Sequence, residues 1–446
     1  QVGFPDFTHE DDLEYWLAAS VGALQDQIQA IESATDSTVS PDDSSEKLRQ
    51  RLFADITTRT LFHEALSKDS PLEFTQILLE SIERWVHAAS FLSSPLHARV
   101  KEWVSFRSPQ KTDFSCLVKV EPQEKSGVIR LQGPQGKRRR RDGFALTDPR
   151  YCQRDILYEV DHCIYCHDRD TDSCSKGMRN KKQPGYKVNP LGIDITGCPL
   201  EEKISEMHWL KRQGDNIAAL ALIIIDNPMC PGTGHRICND CMKGCIYQKT
   251  QPVDIPQIET NVLTDVLFMP YGFEIYSLLT RWNPLNIRRR HALPYNGKNI
   301  LVTGLGPAGY TLAHYLINEG FGVIGIDALK IEPLPEKLLG SRDGHPKPIR
   351  NFSELYEDLD KRILAGFGGV AEYGITVRWD KNFLKVIYLN LARRNTFRIF
   401  GGVRFGGTLS IEDAWTLGFD HIAVASGAGK PTVIGLKNNL IRGIRK

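Results

Sequence analysis

Residues 298–327 read KNILVTGLGPAGYTLAHYLINEGFGVIGID. NILVT has the character of a buried strand, YTLAHYLINEG runs at helical spacing to a stop at Gly320, and GVIGID predicts a second strand ending at Asp327. Glycine stands at 304, 306 and 309 between the first strand and the helix. The first glycine allows a tight turn, the second lets a phosphate approach the backbone, and the third lets helix and strand lie close. Pro307 and Ala308 open the helix, whose unpaired N–H groups favour an anion. Asp327 follows at about the distance, ~20 residues, at which an acid accepts from a ribose hydroxyl. The stretch therefore predicts a parallel, Rossmann-like α/β unit over 297–446. Gly304, Gly306, Pro307, Ala308, Gly309 and Asp327 would hold a dinucleotide, FAD or NAD(P).

Upstream lies a different chemistry. Eight of the ten cysteines fall between 163 and 245, in CIYCHDRDTDSC (163–174), GCP (197–199) and NPMCPGTGHRICNDCMKGC (227–245), followed by PVDIPQIE (252–259). Cys163 and Cys166 can place two thiolates on one centre, with Cys174 as a third from the same loop. Cys198 precedes a proline, and Cys238, Cys241 and Cys245 follow after a helical segment. A Cys-Pro step after a run of cysteines is how bacterial-type ferredoxins hold paired clusters. Spacing alone leaves three readings open: two iron-sulfur clusters, zinc sites of the four-cysteine type, or unligated thiols. His162, His167 and His235 neighbour these cysteines and suit a hydrogen bond to sulfur better than ligation.

Composition narrows the classes. The chain has 446 residues, 56 basic against 54 acidic side chains and a net charge of +2, which gives no global field for nucleic acid or a membrane. The longest apolar run, IAALALIII at 217–225, is half the ~18–20 residues of a transmembrane helix and predicts a buried helix. Clustered CxxC pairs point to a reducing compartment, and a cytoplasmic location is expected. Residues 1–110 carry helical stripes and no assigned chemistry. Within a 111–160 connector, CLVKV and GVIRLQG predict a small hairpin, and GKRRRRDG at 136–143 predicts a solvated loop. Cys116 and Cys152 read as small buried hydrophobes. The arginines of PLNIRRRHALP (284–294) read as a solvated linker.

The order CxxC, C, CP, helix, N-P, TGxRxC, C-x3-C and P-V-x-I-x-x-x-E resembles the N-terminal domain of the glutamate synthase small subunit and the corresponding part of dihydropyrimidine dehydrogenase. That resemblance implies an alpha-helical ferredoxin domain over 161–292 with two [4Fe-4S] clusters. Cys163, Cys166, Cys174 and Cys245 would hold one, and Cys198, Cys238, Cys241 and Glu259 the other. This chain departs from the family where 23 residues (175–197) separate Cys174 from Cys198, and where the gap between Cys238 and Cys241 is short. The insert must loop out, and Cys230 becomes a rival to Cys198 or Cys241.

GPAG followed by xxxAxxLxxxG resembles the FAD site of the same family, as does FGGTLSIEDAWTLGFDHIAVASGAGKP (405–431), whose turn places Ser426 and Gly427 beside the flavin. Such flavoproteins interrupt the FAD domain with an NAD(P)H domain, so this chain is expected to be a piece of a longer one. The implied activity is an NAD(P)H-dependent oxidoreductase passing electrons between FAD and the clusters to a reductive site elsewhere, with no catalytic acid, base or nucleophile in this segment. Its implied partners are the missing NAD(P)H domain or a catalytic subunit. A zinc-stapled NAD(P)-binding protein and a docking scaffold are the rivals.

Overall fold

The computed structural model describes residues 111–133, 149–233, 237–340, 346–359, 365–371, 380–428, 435 and 437. The helical stripes of 1–110, the arginine run, His235 and the tail after Gly427 and Ala428 apart from 435 and 437 lie outside them. The chain divides into two compact units, Gln1–Phe106 with Cys152–Asp155, and Arg107–Tyr151 with Ile156–Lys446. Within the described part of the first, the Cys152 thiol donates to the Asp155 carboxylate at 3.2 Å.

The second unit combines helices with a parallel sheet, an α/β arrangement. It opens on a hairpin of β1 (Glu121–Lys125) and β2 (Val128–Gln132), whose two-residue turn puts Ser126 and Gly127 at φ 55° and 74°. Positive φ at both turn positions matches the twist of the strands. The first strand is EPQEK rather than CLVKV, which precedes it, and Cys116 is exposed, contrary to the buried reading. Of the CLVKV side chains, Leu117, Val118 and Val120 are exposed as well.

Among the described residues seven α-helices follow: α1 (Gln153–His162, of which Gln153–Asp155 belong to the first unit), α2 (Ser173–Lys176), α3 (Ile204–Gln213), α4 (Asn216–Asp226), α5 (Cys230–Thr233), α6 (Asp240–Gly244) and α7 (Ile255–Leu267). The apolar run 217–225 forms α4 and buries Ala219, Leu220, Ala221, Ile223 and Ile224. Asp254 caps α7 by accepting from the Gln257 amide at 3.4 Å, and Pro256 sits in the first turn, where its missing N–H costs nothing. A bend of 118° then leads to α8 (Gly272–Leu279). Among the described residues, no single helix is long and apolar enough to cross a membrane.

The sheet is built from β3 (Asn299–Thr303), α9 (Pro307–Asn318), β4 (Gly322–Asp327), α10 (Asn382–Ala392), β5 (Phe397–Gly401), α11 (Ile411–Thr416) and β6 (His421–Val424). Its order is β5-β4-β3-β6 with every pairing parallel, so the α9 crossover returns β4 beside β3 with Asn299 opposite Gly322. α10 is apolar nearly all round (NFLKVIYLNLA) and is therefore buried on more than one face. Phe383, Leu384, Val386 and Leu389 join the core of α4, α7 and α8. Ile387, Tyr388 and Leu391 join Tyr310, Val302 and Phe397 of the sheet core. The helical part and the sheet part thus share this helix.

Candidate metal and dinucleotide sites

The thiols sort into two cavities. Cys163, Cys166, Cys174 and Cys245 line one, a recess partly open to solvent. Cys198, Cys238, Cys241 and Glu259 line the other, the roomier of the two. Ile255, the first residue of α7, lines both. Local structure explains the sorting. Cys163 follows the last turn of α1, and Tyr165 at φ 49° turns the chain into the short helix that begins at Cys166. Cys241 and Cys245 stand one turn apart at α6, ~6 Å along a helix axis. That one short helix supplies a thiol to each cavity. The 23-residue insert leaves its ends together, since the Cys198 amide donates to the Cys174 carbonyl at 2.8 Å. Gly197, at φ 74°, permits this: a Cβ there would lie 2.5 Å from the Gly177 nitrogen.

Cys230 lines neither cavity; it is buried in the helical core. Among the described residues, no group of three or more His, Cys, Asp or Glu side chains gathers tightly enough to hold a single metal ion. The donors are instead distributed round the two cavity walls.

Burial pushes the Cys163 thiol up to about 12, with the charges of Cys166, Cys245 and Asp172 adding to the effect. Cys174 is raised further by burial and by Asp172, to whose carboxylate it donates at 3.0 Å. In the second cavity burial lifts Cys198 to about 11 and raises Cys241 well above the thiol range. Glu259 is pushed up to about 7 by burial, against hydrogen bonds from Thr233 and Asn227 at 3.2 Å each. Such a set resists ionisation until a cation compensates its charge.

The cavities hold residues that the cysteine pattern does not reveal. Glu202 lines the second beside Glu259, 7% exposed, and burial together with the Glu259 charge holds its carboxyl well above the usual range. His208, in the middle of α3, lines the first. The histidines adjacent to cysteines make their contacts elsewhere. His162 Nε2 meets the Gln251 carbonyl at 3.0 Å and its ring stacks between Tyr158 and Tyr247. His167 Nδ1 meets Ser205 Oγ at 2.8 Å and its Nε2 meets Asp168 at 3.3 Å.

At the other site, β3 runs into the glycine turn and Pro307 opens α9. Gly304 adopts φ 96°, and a Cβ on it would overlap the Ala425 carbonyl; a Cβ on Gly309 would overlap the Gly304 carbonyl. Backbone packing demands glycine at both positions. Gly306 differs, because its φ of −75° suits any residue and its Cβ would meet nothing nearer than Gly368 O at 3.7 Å. Ser426, at the turn after β6, lies with its hydroxyl 3.4 Å from that of Thr303, and Gly427 follows at φ 68°. Asp327 ends β4 and accepts from the Leu305 and Leu329 amides at 2.9 and 3.0 Å, so its carboxylate closes the glycine turn from below. The loop 366–369, GFGG, comes against this turn, with a Cβ on Gly369 only 3.0 Å from Gly306 Cα. In the linker, Arg289 pairs with Glu319 at 2.5 Å.

No protein-family model matches the chain. It is similar to an uncharacterized protein of Rickettsia prowazekii (strain Madrid E), RP006, with 51% identity over 217 residues, which cover 49% of this chain and 30% of that protein. A second protein of the same organism, the uncharacterized RP005, is 37% identical over 116 residues, 25% of this chain and 36% of that protein. The chain spans about a third of the length of the curated relatives it matches.

Proposed function

We propose that this chain is the electron-transfer portion of an iron-sulfur flavoprotein oxidoreductase, with two [4Fe-4S] clusters in a ferredoxin-like helical region and FAD on the Rossmann-like turn. The observation that carries the reading is the separation of the eight residues named from the sequence, four to each of two adjacent cavities, with α6 serving both. Cys163, Cys166, Cys174 and Cys245 would hold one cluster, and Cys198, Cys238, Cys241 and Glu259 the other. When bound, the clusters accept and release single electrons and the flavin accepts a hydride as an electron pair. The protein's part is to supply thiolates, exclude water and fix spacing. Burial of Cys163, Cys174 and Cys241 keeps the protons on these thiols in the metal-free protein, and binding a cluster would require their loss.

For the flavin, the supporting feature is Gly306. Its own fold does not demand glycine, since a Cβ there would make only an ordinary contact with Gly368 O at 3.7 Å, whereas close approach of a pyrophosphate to the α9 N-terminus would. NAD(P)H would act through a domain or subunit outside this chain, and the electrons would leave to a catalytic partner in the cytoplasm. Nothing in this reading calls on nucleic acid or a membrane.

The test is iron, acid-labile sulfide, zinc and flavin content of protein purified without oxygen. About eight iron and eight sulfide are expected. Cys163→Ser and Cys238→Ser should each reduce the count by about four, and the double variant should abolish it. Stoichiometric zinc without sulfide would overturn the reading.

A further inference from the structure

The first cavity contains a polar side chain whose chemistry is unspent. His208 is 1% exposed on α3, lines the space bounded by Cys163, Cys166, Cys174 and Cys245, and has no hydrogen-bond partner on either ring nitrogen among the described residues. A buried polar group left unpaired is destabilising, so a histidine here is unfavourable unless something in the cavity accepts from it. The other polar groups nearby do not. Ser205, one turn earlier on α3, is occupied by His167. Asp172 accepts from Cys174. Burial depresses His208 to about 3, which keeps the ring neutral, with one N–H to donate and no charge to neutralise.

We propose that His208 donates its ring N–H to a sulfur of the group held by Cys163, Cys166, Cys174 and Cys245, and so raises the reduction potential of that centre above its neighbour's. This rests on the cluster reading above. A donor aimed at cluster sulfur stabilises the reduced, more negative state and shifts the potential upward. Among the described residues, the wall of the second cavity carries no histidine, and Glu202 and Glu259 stand there instead. The two sites would therefore be poised at different potentials by what lines them. His208 would act on the centre through a hydrogen bond rather than by ligation.

The experiment is an EPR-monitored redox titration of the anaerobically purified full chain, with iron and sulfide counted on each sample. His208→Leu should keep about eight iron and lower one of two midpoints by about tenfold in the one-electron equilibrium, which is 59 mV. His208→Gln, which keeps an N–H donor, should recover most of that shift. With Cys238→Ser in the background, the midpoint that moves should be the one that remains. Unchanged midpoints in a fully loaded Leu variant would overturn the role of His208 while leaving the clusters in place. Absence of iron and sulfide from the wild type would instead overturn the reading on which it rests. Should the Leu variant lose iron, wild-type protein labelled with 15N-histidine decides the matter. Its reduced spectrum should show a histidine nitrogen coupling that His208→Gln abolishes, and no such coupling in the wild type refutes the hydrogen bond.

Discussion

Gly232→Ala is the sharpest test of how the second cavity is held against the sheet. Gly232 lies in α5, next to Thr233, whose hydroxyl hydrogen-bonds Glu259. A Cβ at 232 would overlap the Tyr310 hydroxyl and lie 3.0 Å from both Tyr310 Cζ and Ile387 Cδ1. Tyr310 cannot swing aside freely, because it is 2% exposed and its ring stacks on Phe367 at 6.0 Å, which stacks in turn on Tyr388 at 4.8 Å. Overpacking of this kind costs ~1–3 kcal/mol, and the helix preference of Ala over Gly returns up to ~1 kcal/mol. The net destabilisation is therefore small and ambiguous by itself. A double-mutant cycle isolates it. Tyr310→Phe removes the overlapping oxygen, so Gly232→Ala should cost ~1–2 kcal/mol less in the Phe background than in the wild type. Urea unfolding followed by tryptophan fluorescence, on all four proteins at one pH, measures the coupling. A coupling below ~0.5 kcal/mol, the additivity expected of independent sites, would refute the proposed contact between α5 and α9.

Two further predictions concern pH, measured on metal-free protein. His314 is 1% exposed on α9 and burial, with Arg394 nearby, depresses it to about 3 from 6.5. Its folded pKa lies below the unfolded value, so its contribution is present above pH 6.5 and is lost as pH falls toward 3, at ~1.4 kcal/mol per unit. Denaturant midpoints of His314→Gln should show a shallower acid slope than wild type, and identical slopes would contradict the burial argument. Glu259 has the opposite sign: its folded pKa of about 7 lies above 4.5, so stability is greatest below pH 4.5 and declines as pH rises through 7. Glu259→Gln should flatten that decline in thermal melts between pH 5 and 8, values chosen to bracket the shift.

The sheet unit was legible because its signals are local. NILVT, the glycines at 304 and 309, the helix stripe and GVIGID lie within one 30-residue stretch, and each demands its neighbour's conformation: a Cβ on Gly309 would overlap the Gly304 carbonyl within the same turn. α4 was legible for the same reason, since nine consecutive apolar residues leave few alternatives to a buried helix. The hairpin was offset because apolar alternation in CLVKV predicts a strand only when a surface is there to bury it, and those residues stay exposed.

The cysteine count and spacing are properties of the chain alone, and by themselves they left iron-sulfur, zinc and unligated thiols open; the division into two sets of four came only as what the family resemblance implied. Spacing alone could not sort them, because cavity membership joins Cys163 to Cys245 and Cys198 to Glu259 across intervening helices. Glu202 and His208 have no spacing signal, being ordinary residues of GCPLEEK and EMHWL until α3 packs them beside the thiols. Ser426 reaches Thr303 only because β6 pairs with β3. Short-range sterics and hydrogen bonding decide a turn within a few residues, so sequence alone determined the glycine turn and the donor inventory. Which donors share a cavity depends on burial of apolar faces far apart in the chain, and only the packed structure decided it.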